Sequence, residues 1–347
     1  MKKIIPFLII ICTVFFVGCS VKPKQQLYIL APTDCINGDV LTAFEKDYNV
    51  DIEYNNYTNP EDIYADLTAN PNKYDIVIAP NYVTSRLIEE GSLLALDKTK
   101  ITNYNNIMDG FTPNTNYTFP YMYGTLGILY DANKVTTKID SWTALWDKTY
   151  KGEIIMTDVE RDAISIAFKS MGFDINDKDQ SHINFAQDRL SEQLQIVQSW
   201  QNINMPDNMA WGRAILAAAT SNQAEMAVEK ASETGYANLK YVIPSEGSVR
   251  FLYSLAILKG SQNSDLALKF IDNVSFADNS AKNSEASGLT SPITGARNLL
   301  PDNMKNSTIM YPTDAQLLTC KYNDYDVVAG QQYDIIWRII NASITRK

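Results

Sequence analysis

Five segments within the first ninety residues alternate between strand and helix patterns, and that alternation restricts the fold more than any other feature. Residues 27–31 form an apolar strand-length run, and Val40, Leu41, Phe44 and Tyr48 mark one face of a helix. Residues 50–54 alternate as a strand, Ile63, Tyr64 and Leu67 mark a second helix face, and residues 74–78 form a buried-strand pattern. Strands separated by helices in this way imply a mostly parallel sheet in an α/β fold.

The pattern resumes after a stretch at the middle of the chain, SWTALWDKTYKGEIIMTDVERD at 141–162. Trp142, Leu145 and Trp146 stand at i, i+3 and i+4, which predicts a short helix with one apolar face and Ser141 as its N-cap. Residues 153–156 then read as a strand, and Asp158 to Asp162 begin a new helix. Open α/β sheets bind ligands outside the carboxyl ends of their strands, so this acidic helix start is a candidate ligand-contacting position.

Downstream, residues 183–200 read as the longest helix and 211–219 as a further one. Residues 224–228, 239–242 and 250–258 read as strands, 266–274 and 277–286 as helices, and 327–344 as a terminal helix.

The first eighteen residues have the pattern of a processing segment. Lys2 and Lys3 precede an apolar run over 4–17, shorter than the ~20 residues a spanning helix needs, and Gly18 precedes Cys19. An ordinary signal peptide is one reading. Phe16-Val17-Gly18-Cys19 also resembles a bacterial lipobox, which implies cleavage before Cys19, its lipidation and attachment to a bacterial membrane. Residues 19–25 would then be a polar tether.

Without residues 1–18 the chain carries 28 basic and 40 acidic side chains. Such an acidic balance argues against nucleic acid as a partner, which needs a basic footprint, and suits a cationic ligand. The single histidine, His182, lies in a polar stretch, and no cysteine pair has zinc-ligand spacing. A His-based catalytic triad, a His-rich metal site and a resident cofactor are therefore not expected. Cys35 and Cys320 are the two cysteines left beyond the leader and Cys19, and an exported compartment would permit a disulfide.

Ten segments, in order along the chain, resemble the bacterial extracellular solute-binding proteins of ABC importers, in particular the spermidine/putrescine-binding branch. Among them are YDIVIAPNY at 74–82, FPYMYGTLGILYD at 119–131, SWTALW at 141–146, YKGEIIMTDVERDA at 150–163, IPSEGSVRFLYSLAI at 243–257 and SGLTSPITGARNLL at 287–300. The resemblance implies a two-lobed periplasmic-binding-protein fold, type II-like, each lobe a mixed sheet flanked by helices with a hinge between. Lobe one would take 26–130 plus 252–297, and lobe two 131–251 plus 298–347. It implies a monomeric, non-enzymatic binding subunit whose partners are a permease, an ATPase and, through the lipid, a membrane.

The same resemblance implies ligand contacts at Thr33, Asp34, Tyr82, Asp162, Glu229, Phe251, Tyr253 and Asn323. Carboxylates would pair with ammonium groups, and aromatic faces would hold the methylene stems. Several family positions differ here: Pro32, Cys35, Val228 and Leu289 replace aromatics, and Tyr253 replaces the family's principal aspartate. Glu229 would have to compensate for that loss. Cys35 and Cys320 would both fall near the cleft, as two free buried thiols or as a disulfide that would tie the lobes. The alternatives are another small organic solute in the same fold, with Arg250 pairing a carboxylate, a non-transport exported binding or sensor lipoprotein, and an exported hydrolase.

Overall fold

The computed structural model describes residues 24–111 and 116–345. The expected leader, Cys19 and nearly all of the tether lie outside the described residues.

The chain opens as β1 (Gln25–Pro32), α1 (Gly38–Tyr48), β2 (Val50–Tyr57), α2 (Asp62–Ala69), β3 (Ile76–Pro80) and α3 (Asn81–Glu89). β4 (Thr118–Asp131) leads to β5 (Ile154–Met156), α4 (Glu160–Ser170), α5 (Gln180–Gln193), β6 (Ser199–Trp200), α6 (Met205–Ala210), β7 (Leu216–Thr220) and α7 (Ser221–Thr234). β8 (Leu239–Val242) and β9 (Ser248–Ile257) precede α8 (Ser264–Val274), α9 (Ala277–Ser287), α10 (Asp302–Lys305) and α11 (Asp314–Thr319). β10 (Cys320–Lys321) and α12 (Val327–Ile344) close the described chain.

β1 pairs in parallel with β2 and β3, and β9 runs antiparallel to both β3 and β4. Beyond residue 125, β4 leaves β9 and pairs with β7 and β8, while β5 lies parallel to β7 and β6. At ~3.4 Å per residue the 14-residue β4 is ~48 Å long, enough to run from one lobe into the next. Side chains alternate faces, so each sheet is buried on both sides. Leu27, Ile29 and Ala31 enter one first-lobe core and Leu30 the opposite one; Ile154 and Met156 enter one second-lobe core and Ile155 another. The C-terminal part divides between lobes: Leu300 and Met310 pack in the first-lobe core, whereas Ala329, Tyr333, Ile336 and Ile340 pack in the second.

The middle stretch forms a 3-10 helix, Trp142–Trp146, capped as expected by Ser141, whose hydroxyl accepts from the Thr143 amide. Trp142 is buried and its Nε1 donates to the Gly247 carbonyl at 2.9 Å, which anchors the turn before β9.

Two expectations are corrected. Residues 216–220 are strand β7 and 221–234 helix α7, the reverse of the helix and strand expected there. Ala217, Ala218 and Ala219 are at most 1% exposed, in a strand covered on both faces, and a capping box between Thr220 and Gln223 starts the helix. The helix expected over 183–200 ends at Gln193. Beyond it, Gly152 donates to the Ile196 carbonyl and Gln198 to that of Ile154, drawing the segment onto the sheet edge. Of the two readings of the cysteines, the free one holds: Cys35 and Cys320 are free buried thiols with separate polar partners. Cys35 Sγ sits 3.1 Å from the Tyr54 hydroxyl, and Cys320 Sγ donates to the Gln316 carbonyl at 3.4 Å.

Candidate functional site

A cavity of about 420 Å³ lies between the lobes, within the ~300–1,000 Å³ range of small-molecule sites. The first lobe supplies the loop after β1 and the β3–α3 junction. The second lobe supplies the starts of α4 and α7, and β9 forms the crossing wall. Seven of the eight residues expected at the site line it: Thr33, Asp34, Tyr82, Asp162, Phe251, Tyr253 and Asn323.

Each is held by local chemistry. The loop after β1 is pinned from beneath by the Tyr54 hydroxyl, which donates to the Pro32 carbonyl at 2.7 Å, and by the Tyr121 hydroxyl, which donates to that of Cys35 at 2.6 Å. Asp34 adopts φ 56°, a left-handed conformation that aspartate tolerates better than most residues, and its side chain stands exposed at the cavity mouth. Tyr82 occupies the first turn of α3 and donates to Glu61 Oε1 at 3.1 Å. Phe251 and Tyr253 alternate with Leu252 along β9, their rings 5.6 Å apart and edge-on at 72°. Phe251 is seated against Gly124, where a Cβ would lie 2.5 Å from its Cζ. Asn323 is 3% exposed and joins the lobes. Its Oδ1 accepts from Arg161 Nη2 at 3.3 Å and Ser165 Oγ at 3.0 Å, while its carbonyl accepts from Asn81 Nδ2 at 2.6 Å.

Asp162 lies in the first turn of α4, whose N-cap position, Val159, has no capping side chain. Burial pushes its carboxyl up to about 7, Glu61 opposite adds to the rise, and Arg161 opposes it. Glu160 is pushed up to about 9, first by burial and then by Glu61 and Asp334. Burial also raises Glu61 and Asp158. Carboxylates so disposed favour a cation that would restore their charged forms.

Glu229 does not belong to this wall. It lies in the third turn of α7 and is exposed, because the true strand end and helix start fall at Thr220 and Ser221. Arg250 stays outside the cavity, its guanidinium 4.4 Å from the centre of the Tyr322 ring and 5.3 Å from that of Phe111. Tyr123 packs on Phe111 rather than facing the cleft. His182 lies elsewhere, stacked on Phe173 with Nδ1 2.9 Å from Asp177. Sequence reasoning missed four amides in the lining, Asn81, Asn202, Asn222 and Gln223. The Thr220–Gln223 capping box was the available signal for the last two.

Among the described residues, then, the cavity is lined by two acids, four aromatic rings and several amides, with no lysine or arginine. No group of three metal-ligating side chains stands together among them. The arrangement can hold an extended organic cation: carboxylates for ammonium groups, ring faces for methylenes, amides for remaining N–H donors.

Comparisons with known proteins agree with this architecture. Residues 39–313 match the family described as bacterial extracellular solute-binding protein. The spermidine/putrescine-binding periplasmic protein of Salmonella typhimurium is 28% identical over 85% of this chain and 85% of its own length. The putrescine/cadaverine-binding protein of Pseudomonas aeruginosa is 25% identical over 90% and 91%. Among solved structures, one from Listeria monocytogenes superposes with a TM-score of 0.85 at 28% identity, covering 92% of this chain and 99% of the other. The spermidine/putrescine ABC transporter substrate-binding protein of Streptococcus pneumoniae reaches 0.77 at 26% identity, with the same coverage. With four-fifths of its length matched, its two lobes and its inter-lobe cavity, this chain belongs to the bacterial extracellular solute-binding protein family.

Proposed function

We propose that this chain is the solute-binding subunit of an ABC importer and that its cleft takes a polyamine such as spermidine or putrescine. The observation that carries this reading is the lining itself: Asp34 and Asp162 with Tyr57, Tyr82, Phe251 and Tyr253, and no basic side chain. The polyamine specificities of its relatives support it. Thr33, Asp34, Tyr82, Asp162, Phe251, Tyr253 and Asn323 are the proposed contacts. Asp162 takes an ammonium group, and the rings of Phe251 and Tyr253 take the methylene chain. A carboxylate-bearing solute in the same cleft is not favoured, since Arg250 lies outside the lining.

The protein acts by binding and hinge closure rather than by catalysis. It works as a monomer that delivers its ligand to a permease and its ATPase, tethered through a lipid on Cys19. The lobes are taken as 26–130 with 252–297, and 131–251 with the C-terminal part. The packing of Leu300 and Met310 supports moving the residues around them to the first lobe.

Thermal unfolding of the exported domain against polyamines, amino acids and osmolytes tests the reading. An amine at a hundred times its Kd should add ~2.7 kcal/mol of stability. No stabilisation by any polyamine rejects the ligand assignment.

A further inference from the structure

Tyr82 is a wall shared by two cavities. On one side it lines the cleft with Asp162. On the other it lines an adjoining cavity of about 510 Å³, walled by α2, α3, α4 and α12, where Glu61 stands. Glu61 occupies the N-cap position of α2 yet makes no capping bond there. Its carboxylate turns to the Tyr82 hydroxyl at 3.1 Å and toward the backbone amide of Arg161 at the start of α4. Two helix N-termini, one from each lobe and neither capped by its own side chain, therefore meet at this wall and each contributes a carboxylate.

The Arg161 guanidinium offsets both acids electrostatically but forms no ion pair with either. It is 6% exposed, Nη2 bonds to Asn176 and Asn323, Nε and Nη1 have no hydrogen-bond partner, and among the described residues no salt bridge joins it to either acid. Tyr253, the residue at the family's aspartate slot, interacts electrostatically with both Asp162 and Glu61.

We propose that Glu61, reaching across from the first lobe, is the second carboxylate of the ammonium site, so that one terminal ammonium of the ligand is held jointly by Asp162 and Glu61 with the Tyr82 oxygen between them. This rests on the amine reading above and assigns to Glu61 the charge that Tyr253 cannot supply. An ammonium has three donors, and the two carboxylates and the phenol offer it three acceptors.

Two half-buried carboxylates at one site resist simultaneous ionisation until a cation arrives. The groups facing them are Arg161, Glu160, Asp334 and Tyr241 from the second lobe, and Tyr57, Tyr82 and Tyr253 from the first lobe and β9. Burial raises both acids, Asp162 to about 7, and Asp162 loses its proton to bind, so amine binding releases protons near neutrality and tightens as pH rises from 6 to 8.

Calorimetric titration with putrescine and spermidine at pH 7, in two buffers of different ionisation enthalpy, tests the assignment. Wild type should release a measurable fraction of a proton. E61Q should bind at least 30-fold more weakly and release less. E61Q that binds within threefold of wild type with unchanged proton release overturns the proposal. Should E61Q not fold, Y82F removes only the shared hydroxyl and should bind at least tenfold more weakly; wild-type affinity overturns the proposal. A wild-type protein that binds neither amine overturns both this inference and the reading beneath it, whereas an unaffected E61Q in a protein that does bind overturns this inference alone.

Discussion

Replacing Asp162 by asparagine should make the ligand-free protein more stable at alkaline pH while removing its amine site. The carboxyl rises from 3.8 to about 7 on folding, chiefly through burial. A raised carboxylate means the native state binds the extra proton, so folding stability falls as pH climbs from about 4 to about 7. At ~1.4 kcal/mol per pK unit the full cost above pH 7 is roughly 4 kcal/mol. Asparagine carries no charge and avoids that cost, so D162N and wild type should unfold together near pH 3. At pH 8 the variant should lead by about 1–4 kcal/mol, since partial exposure reduces the full figure. Urea unfolding of the ligand-free domain at both pH values reads this directly, as a shift in midpoint at constant slope. A variant less stable than wild type at pH 8, or a difference that does not change with pH, would refute the reasoning.

Other positions give equally specific expectations. Gly247 has φ +85°, and a Cβ there would lie 2.2 Å from the Thr319 carbonyl oxygen, so G247A should lower stability by about 2 kcal/mol or more in the same urea assay. G124A should leave the fold intact but displace Phe251, because a Cβ would lie 2.5 Å from its Cζ; amine affinity should fall at least tenfold in calorimetry. Burial pushes the Cys35 thiol up to about 12 and raises Cys320, so a domain beginning at Lys24 should react very slowly with a thiol reagent at pH 8. In denaturant it should titrate two thiols without reductant.

The two-lobed fold was legible because its strands are buried on both faces and read as unbroken apolar runs between amphipathic helices, as at 27–31 and 74–78. The same burial concealed β7. Three consecutive alanines carry no periodicity, and their helix propensity pointed the wrong way. The error shifted the following helix start and placed Glu229 in a site it does not reach. The place of Asp162 in the cavity lining was legible, as an acid at a helix start beyond a strand. The place of Glu61 beside the cleft was not, because Asn59-Pro60-Glu61 reads as an ordinary helix entry and its partner Tyr82 is twenty-one residues away. The pairing of the two cysteines was not legible, because proximity to one cleft in sequence order says nothing about whether two side chains face each other.

The central claim, that the cleft is a polyamine site with Asp162 as its anchor, is tested most directly by a crystal structure of the protein grown with spermidine. The expected result is an extended amine between the lobes, one terminal nitrogen ~2.7–2.9 Å from the Asp162 carboxylate and its methylenes along Phe251 and Tyr253. Spermidine bound away from Asp162, or a cleft that stays free of amine at saturating concentration, would contradict it.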